Sequence, residues 1–218
     1  MDFYQAVMAR RTVRDFEDRP IAPDVLHRIV GAGLAAPSND HLREWEFVVL
    51  PDKADRVEAI RYVPKDLSVE ESTAVIDNWG LSDECQRAMY LLGIPKQYRM
   101  LLNAGCLIVP AFRHRGPLLR PESLSALNSF ASIWCCIENM LLAAAAEGVF
   151  GVTRIPFEAE TRQLRTTLGI PDGYEIPCYL ALGYPAANLT QTRQIPVDIG
   201  SRMHYGHWSS IEHVEIHR

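Results

Sequence analysis

From Ser123 to Glu147 the chain contains neither proline nor glycine, and Gly148 follows as a natural residue to end a helix. That stretch is predicted to be one long helix, apolar nearly all round, and such a helix must be buried on several sides. A chain of 218 residues is long enough to bury most of its apolar surface in one core. Enclosing so apolar a helix is still a large demand on it, so a second subunit is expected to supply part of the cover. Glu138 and Asn139 interrupt the richest apolar run, Ile133 to Ala146. Unpaired polar groups are costly once buried, so both are expected to find partners across that interface. The same run is shorter than the roughly 20 apolar residues a bilayer span needs, and no membrane span is expected.

The remaining elements follow from spacing and punctuation. Asp2 is placed to cap a first helix reaching Ala9, with Phe3, Val7 and Met8 on one face. A second helix starts at Pro23, carries Val25, Leu26, Ile29, Val30 and Leu34 at helical intervals, and ends before Pro37. Glu46 to Leu50 has the β-branched content and length of a strand. Residues 52–104 form a mostly helical excursion broken by Pro64, Gly80, Gly93 and Pro95, with Tyr62, Trp79, Tyr90 and Tyr98 dispersed along it. It reads equally as a cover over a site and as ordinary helical packing. A strand is expected at Cys106–Val109, reaching Phe112 if Pro110 sits at an edge or bulge. An extended piece at 149–153, a helix at 158–168 and a strand at 177–184 complete the body. The arm from about 185 to 218 is polar and either wraps a partner or frays.

Strands separated by helices of uneven length, with no internal repeat, make this one α+β domain over residues 1–218. Regular Rossmann alternation fails, no GxGxxG follows a strand, and no GxxxxGK[ST] exists. A composition of 48% hydrophobic and 22% charged residues is that of a globular chain. A formal charge of −5 without a long basic stretch argues against nucleic acid as a partner. The acid at position 2 and the missing apolar leader point to the cytoplasm. Five cysteines lack any CxxC spacing, and Cys135 and Cys136 point about 100° apart on a helix, so they read as reduced residues and not as metal ligands. Seven histidines show no HExxH spacing either.

Two segments carry the chemistry. Arg10-Arg11-Thr12-Val13-Arg14 concentrates guanidinium groups and a hydroxyl in an otherwise acidic chain, a ready cradle for phosphate. Ala35-Ala36-Pro37-Ser38-Asn39-Asp40-His41-Leu42-Arg43-Glu44-Trp45 is a turn-rich loop opening into a strand, rich in donors and acceptors, with Trp45 expected in the core.

These segments, followed by the long helix closing in Glu147-Gly148-Val149-Phe150-Gly151 and by Tyr179-Leu180-Ala181-Leu182-Gly183-Tyr184-Pro185, resemble the nitroreductase family of FMN-dependent oxidoreductases. The resemblance implies a central mixed or antiparallel sheet flanked by helices in an intertwined homodimer, with FMN at each end of the subunit interface. It implies that Arg10, Arg11, Thr12 and Arg14 hold the phosphate and pyrimidine edge, and that Pro37, Ser38 and Asn39 reach the flavin of the other subunit. Thr153, Arg154 and Ile155 would pass the ring face near its reactive N5, while Arg193, or Arg202 if the arm aligns differently, returns to the phosphate. His41 and Arg43 stand where the family commonly has Asn and Gln, which makes them the substrate candidates. The implied activity takes hydride from NADH or NADPH and reduces an electron-poor acceptor such as a nitroaromatic or quinone. Flavin-consuming or reductive dehalogenating chemistry, and a non-catalytic flavin-binding regulator, are the alternatives. Because the flavin carries the redox step, no acid–base cluster is required of the protein.

Overall fold

The computed structural model describes residues 1–190 and 195–208. Helix α1 (Phe3–Ala9) opens on a capping box in which the Asp2 carboxylate accepts from the Gln5 N–H and the Gln5 side chain accepts from the Asp2 N–H. Helix α2 (Pro23–Leu34) begins on proline, whose missing N–H costs nothing at a helix start. Strand β1 (Trp45–Leu50) follows the turn-rich loop. The excursion is helical as expected, with α3 (Lys53–Ala59), α4 (Val69–Asn78), α5 (Glu84–Gly93) and α6 (Gln97–Leu102). Then come β2 (Cys106–Arg113), α7 (Asn128–Ala146), β3 (Phe150–Arg154), α8 (Glu158–Leu168), β4 (Tyr174–Glu175) and β5 (Tyr179–Gly183).

The sheet runs β1-β2-β5-β3, with β4 also pairing β2, and every strand pair is antiparallel. Strand β2 continues through Pro110 to Arg113, longer than its certain core at 106–109. Pro110 faces Phe47 in β1, and on its other side the ladder is interrupted between Ile108–Leu180 and Phe112–Glu175, where the register shifts by one residue. A residue without an N–H is tolerated there because the ladder lacks a bond at that point.

Alternation along the central strands splits the core into two layers. Cys106, Ile108, Cys178, Leu180 and Leu182 pack with α2 and α7 residues such as Ile29, Ile133 and Met140. Leu107, Val109, Tyr179 and Ala181 pack with Ala59 of α3, Leu101 of α6 and Leu164 of α8. Trp45 is buried in the first layer, as its size suggests.

The long helix differs from its expectation at its start. Its first turn, Leu124–Leu127, winds as a tighter 3₁₀ turn, so the α-helix starts at Asn128 and not at Ser123. Within one chain it is covered on one side only: Ile133, Cys136, Ile137, Met140, Ala144 and Ala145 are buried, while Ala131, Cys135 and Glu138 are exposed. Glu138 and Asn139 both have partners inside the chain. Arg10 stands 3.3 Å from the Glu138 carboxylate, and Asn139 Nδ2 donates to the Ala32 carbonyl at 3.2 Å. The segment from Leu124 to Ala146 is long and apolar enough to cross a bilayer by length and composition, but here it packs against α2 and the sheet. Gly148, at φ +71°, closes the helix: the Val149 N–H reaches the Ala144 carbonyl at 2.8 Å and the Gly148 N–H that of Ala145 at 3.1 Å.

Candidate cofactor and substrate site

The Arg-rich segment does not project into solvent. The Val13 N–H donates to the Gly151 carbonyl at 3.1 Å, and Thr12 forms a parallel bridge with Gly151, so the segment runs beside β3 as extended chain. Extended chain alternates its side chains, which puts Val13 into the core and Arg10, Thr12 and Arg14 on the side of the clefts. Arg11 points the other way, its guanidinium 4.9 Å from the centre of the Phe150 ring.

Two adjoining hollows lie along this edge. One, of about 210 Å³, is lined by Arg10, Thr12, Glu138, Gly151 and Thr153. The other, of about 430 Å³, is lined by Arg14, Thr153, Arg154 and Ile155 together with Trp79, Tyr90, Gln97 and Phe157. Trp134, Val152 and Thr153 border both, so the two form a continuous groove with basic groups at its N-terminal wall and aromatic rings over its wider end.

The charges along the groove are incompletely matched. Arg14 makes no hydrogen bond among the described residues. Burial pulls its guanidinium below the ordinary arginine range, opposed by attraction from Asp15 and Tyr90. Asp15 itself is taken by Lys96 Nζ at 2.6 Å. Gly93 leaves room for this arginine, since a Cβ there would lie 3.2 Å from Arg14 Nε. The Nε of Arg11 is buried and has no hydrogen-bonding partner among the described residues. A cation desolvated without a counter-charge is unfavourable in the free chain and favourable once an anion arrives.

Arg154 is different. Its terminal nitrogens grip both carboxylate oxygens of Glu160, one at 2.8 Å, and its Nε donates to Gln97 at 3.0 Å. The rings of Phe157 and Tyr179 lie 5.6 and 5.7 Å from its guanidinium carbon. The side chain is therefore committed to holding the exit of β3, leaving the backbone of 153–155 and the exposed Ile155 toward the groove.

Pro37, Ser38, Asn39, His41 and Arg43 lie elsewhere. Ser38, Asn39 and Arg43 line a small hollow of about 40 Å³ with Trp45, Ser129 and Ser132. The Asn39 N–H donates to Ser132 Oγ at 3.0 Å, the Arg43 N–H to Ser38 Oγ at 3.2 Å, and Asn128 Nδ2 to Asn39 Oδ1 at 3.2 Å. Asp40, His41 and Arg43 hold φ at +52°, +56° and +46°, a conformation non-glycine residues adopt at a cost. Pro37 and His41 are exposed beside this hollow. Within one chain, then, the Arg-rich segment and residues 153–155 converge, and the Pro-Ser loop does not join them. Arg193 lies outside the described residues, and Arg202 is exposed in the short 3₁₀ turn Gly200–Arg202. Sequence reasoning did not single out Gln97, Trp134 and Phe157. Trp79 and Tyr90 were visible only as aromatics scattered through the excursion, and they meet edge to face, ring centres 5.3 Å apart.

Residues 7–184 match the model of the Nitroreductase family. The chain belongs to the nitroreductase family. Among its relatives in this family is an "NADH dehydrogenase" of Thermus thermophilus, 26% identical over 201 residues, covering 91% of this chain and 94% of the relative. The "Iodotyrosine deiodinase" of Nematostella vectensis is 28% identical over 187 residues, which is 85% of this chain and 67% of the longer relative. A "Nitrobenzene nitroreductase" of Ectopseudomonas oleovorans is 24% identical, covering 84% of this chain and 87% of that one. The fold matches the crystal structure of an oxidised iodotyrosine deiodinase bound to FMN and 3-iodo-L-tyrosine with a TM-score of 0.72 at 17% identity, over 95% of this chain and all of that one. These nitroreductase-family relatives span several redox activities, so membership fixes the flavoenzyme class and leaves the acceptor to the site.

Proposed function

We propose that this chain is an FMN-dependent oxidoreductase that takes hydride from NADH or NADPH and reduces an electron-poor acceptor such as a nitroaromatic or quinone. The observation that carries this reading is the groove: Arg10, Thr12 and Arg14 share one side of an extended segment and line it, and the Arg14 guanidinium makes no hydrogen bond there among the described residues. Such a donor set fits a phosphate at one end and a flat, electron-accepting heterocycle along the other.

Bound there, FMN supplies reversible acceptance and donation of hydride. The protein's part is to bind, orient and shield. Arg10 and Thr12 would offset the charge of the phosphate and give it directional bonds, Arg14 would place a cation where the reduced ring gathers negative charge, and Arg11 would reach the phosphate only by turning from the Phe150 ring. The Arg154–Glu160–Gln97 clamp fixes the strand end that borders the ring. Trp79, Tyr90, Trp134 and Phe157 give the wide end an apolar lining on which the nicotinamide and then the acceptor stack in turn.

A homodimer completes the site in this reading. Met1, Phe3, Tyr4, Val7 and Met8 of the N-terminal helix region are exposed, and α7 leaves Ala131 and Cys135 uncovered, an apolar surface suited to a second copy. Pro37, Ser38 and Asn39 then approach the flavin held mainly by the partner, with Arg193 at the phosphate and His41 and Arg43 near the acceptor. The protein works in the cytoplasm.

Reductive dehalogenation is the second reading. Helices α4 and α5 bring Trp79 and Tyr90 over the wide end of the groove, and a cover of that kind suits one tailored aromatic substrate. Assays of the FMN-loaded protein with a nitroaromatic, a quinone and a halogenated phenol, under NADH and NADPH in turn, separate the readings. Turnover of the first two supports the main proposal, and turnover confined to the third replaces it with the second.

A further inference from the structure

The hollow at the narrow end of the groove contains one residue of the wrong sign for an anion site. Glu138, on the exposed side of α7, lines it together with Arg10, Thr12 and Thr153, and its carboxylate lies 3.3 Å from Arg10 Nε. The two side chains are half-exposed, at 34% for Arg10 and 50% for Glu138, so neither is locked by surrounding packing. Neither side chain has another partner among the described residues, which leaves Arg10 able to exchange one anion for another.

We infer that Glu138 is a built-in counter-anion that competes with the flavin phosphate for Arg10 and so sets how tightly the cofactor is held. The inference rests on the FMN reading of the groove. In the free chain the carboxylate neutralises Arg10. When a phosphate enters beside Thr12 it carries close to two negative charges into the same hollow, and Arg10 must turn from Glu138 to the phosphate. The carboxylate is then left next to a like charge, from which it withdraws into water at the cost of its ion pair. Neither Arg11 nor Arg14 forms a salt bridge among the described residues, and the carboxylate that attracts Arg14, Asp15, is paired with Lys96. Arg10 is thus the adjustable member of the three, and Glu138 is the residue that adjusts it, acting on the phosphate end alone.

The test compares the flavin-free full chain with Glu138→Gln, titrating FMN and, separately, riboflavin, which has the same ring and no phosphate, by quenching of flavin fluorescence. Glutamine keeps the size and the hydrogen-bonding reach and removes the charge. The expected result is an FMN dissociation constant lowered by about fivefold, the upper end for a solvent-exposed ion pair, with riboflavin affinity unchanged. In the Arg10→Ala background the same substitution is expected to give no gain. An FMN affinity that is unchanged or weaker in Glu138→Gln overturns the inference, as does an equal gain for FMN and riboflavin. Equal, tight FMN binding by both proteins defeats this inference and leaves the FMN reading standing. Failure of both proteins to bind FMN at all defeats that reading and this inference with it.

Discussion

Replacing Glu160 by glutamine tests whether the clamp at the end of β3 is as enclosed as its geometry indicates. The side chains of Arg154 and Glu160 are 9% and 3% exposed, and the guanidinium spends both terminal nitrogens on the carboxylate. Gln97 occupies its Nε, so the guanidinium has no acceptor of opposite charge besides Glu160 among the described residues. A buried pair that loses one partner leaves an uncompensated charge, which costs about 3–5 kcal/mol. For a domain of this size, each kcal/mol lowers the melting temperature by roughly 2–4 °C, so Glu160→Gln is expected to melt about 6–20 °C below the parent. Replacing both members together, Arg154→Met with Glu160→Leu, removes the charge and the demand for its partner, and should recover most of that loss. Thermal unfolding followed by far-ultraviolet circular dichroism reads all three. A single variant melting within about 2 °C of the parent, or a double variant as unstable as the single, would refute the reasoning.

Arg14→Ala removes a partly buried cation without a hydrogen-bonding partner, so the flavin-free chain should melt no lower than the parent while FMN affinity falls by about tenfold; a lower melting temperature with unchanged affinity would contradict this. Gly148→Val forces a β-branched residue to φ +71° and should cost about 1–2 kcal/mol in a urea titration, whereas an unchanged midpoint would show that the helix end relaxes. Burial pushes the Cys106 thiol up to about 11 and the Cys136 thiol up to about 12 from 9.0, with Cys135 adding to the latter. In the unfolded chain both ionise from about pH 9, while in the folded chain both stay protonated. Stability is therefore full below pH 9 and is lost as the pH climbs toward 11 and 12, at up to about 1.4 kcal/mol per pH unit for each thiol. Urea midpoints at pH 8 and pH 10.5 should fall less steeply in Cys136→Ala than in the parent, and equal slopes would contradict the burial argument.

Much of this architecture was legible because local signals agreed with the global fold. Asp2 caps the first helix as its position announces, Pro23 starts its helix, and Gly148 ends the long one. The apolar run at 106–109 is a central strand, and its continuation past Pro110 depended on a ladder interruption made by β4 and β5, far away in sequence. Such pairings leave no local trace. Glu138 illustrates the other limit: its helix reads as enclosed on composition, yet which side of α7 the chain covers is decided by where α2 and the sheet dock. In the groove, the Arg-rich segment stood out by charge, and alternation along extended chain explains why Arg10, Thr12 and Arg14 share one wall. Gln97, Trp134 and Phe157 were not legible, because a lone polar or aromatic residue in a helix or loop has the same appearance whether it faces a core or a cleft. The commitment of Arg154 to Glu160 likewise depends on a helix that begins only after the strand has ended.

The central claim is that the groove beside β3 holds FMN and exposes it to nicotinamide and acceptor. An absorption spectrum of the purified full chain after saturation with FMN and removal of the excess, followed by anaerobic addition of NADH and then NADPH, addresses it most directly. The account predicts a retained flavin band close to one FMN per chain that bleaches with at least one of the two nicotinamides and returns when a quinone is added. A colourless protein after removal of excess FMN, or a bound flavin that neither nicotinamide bleaches, would contradict it.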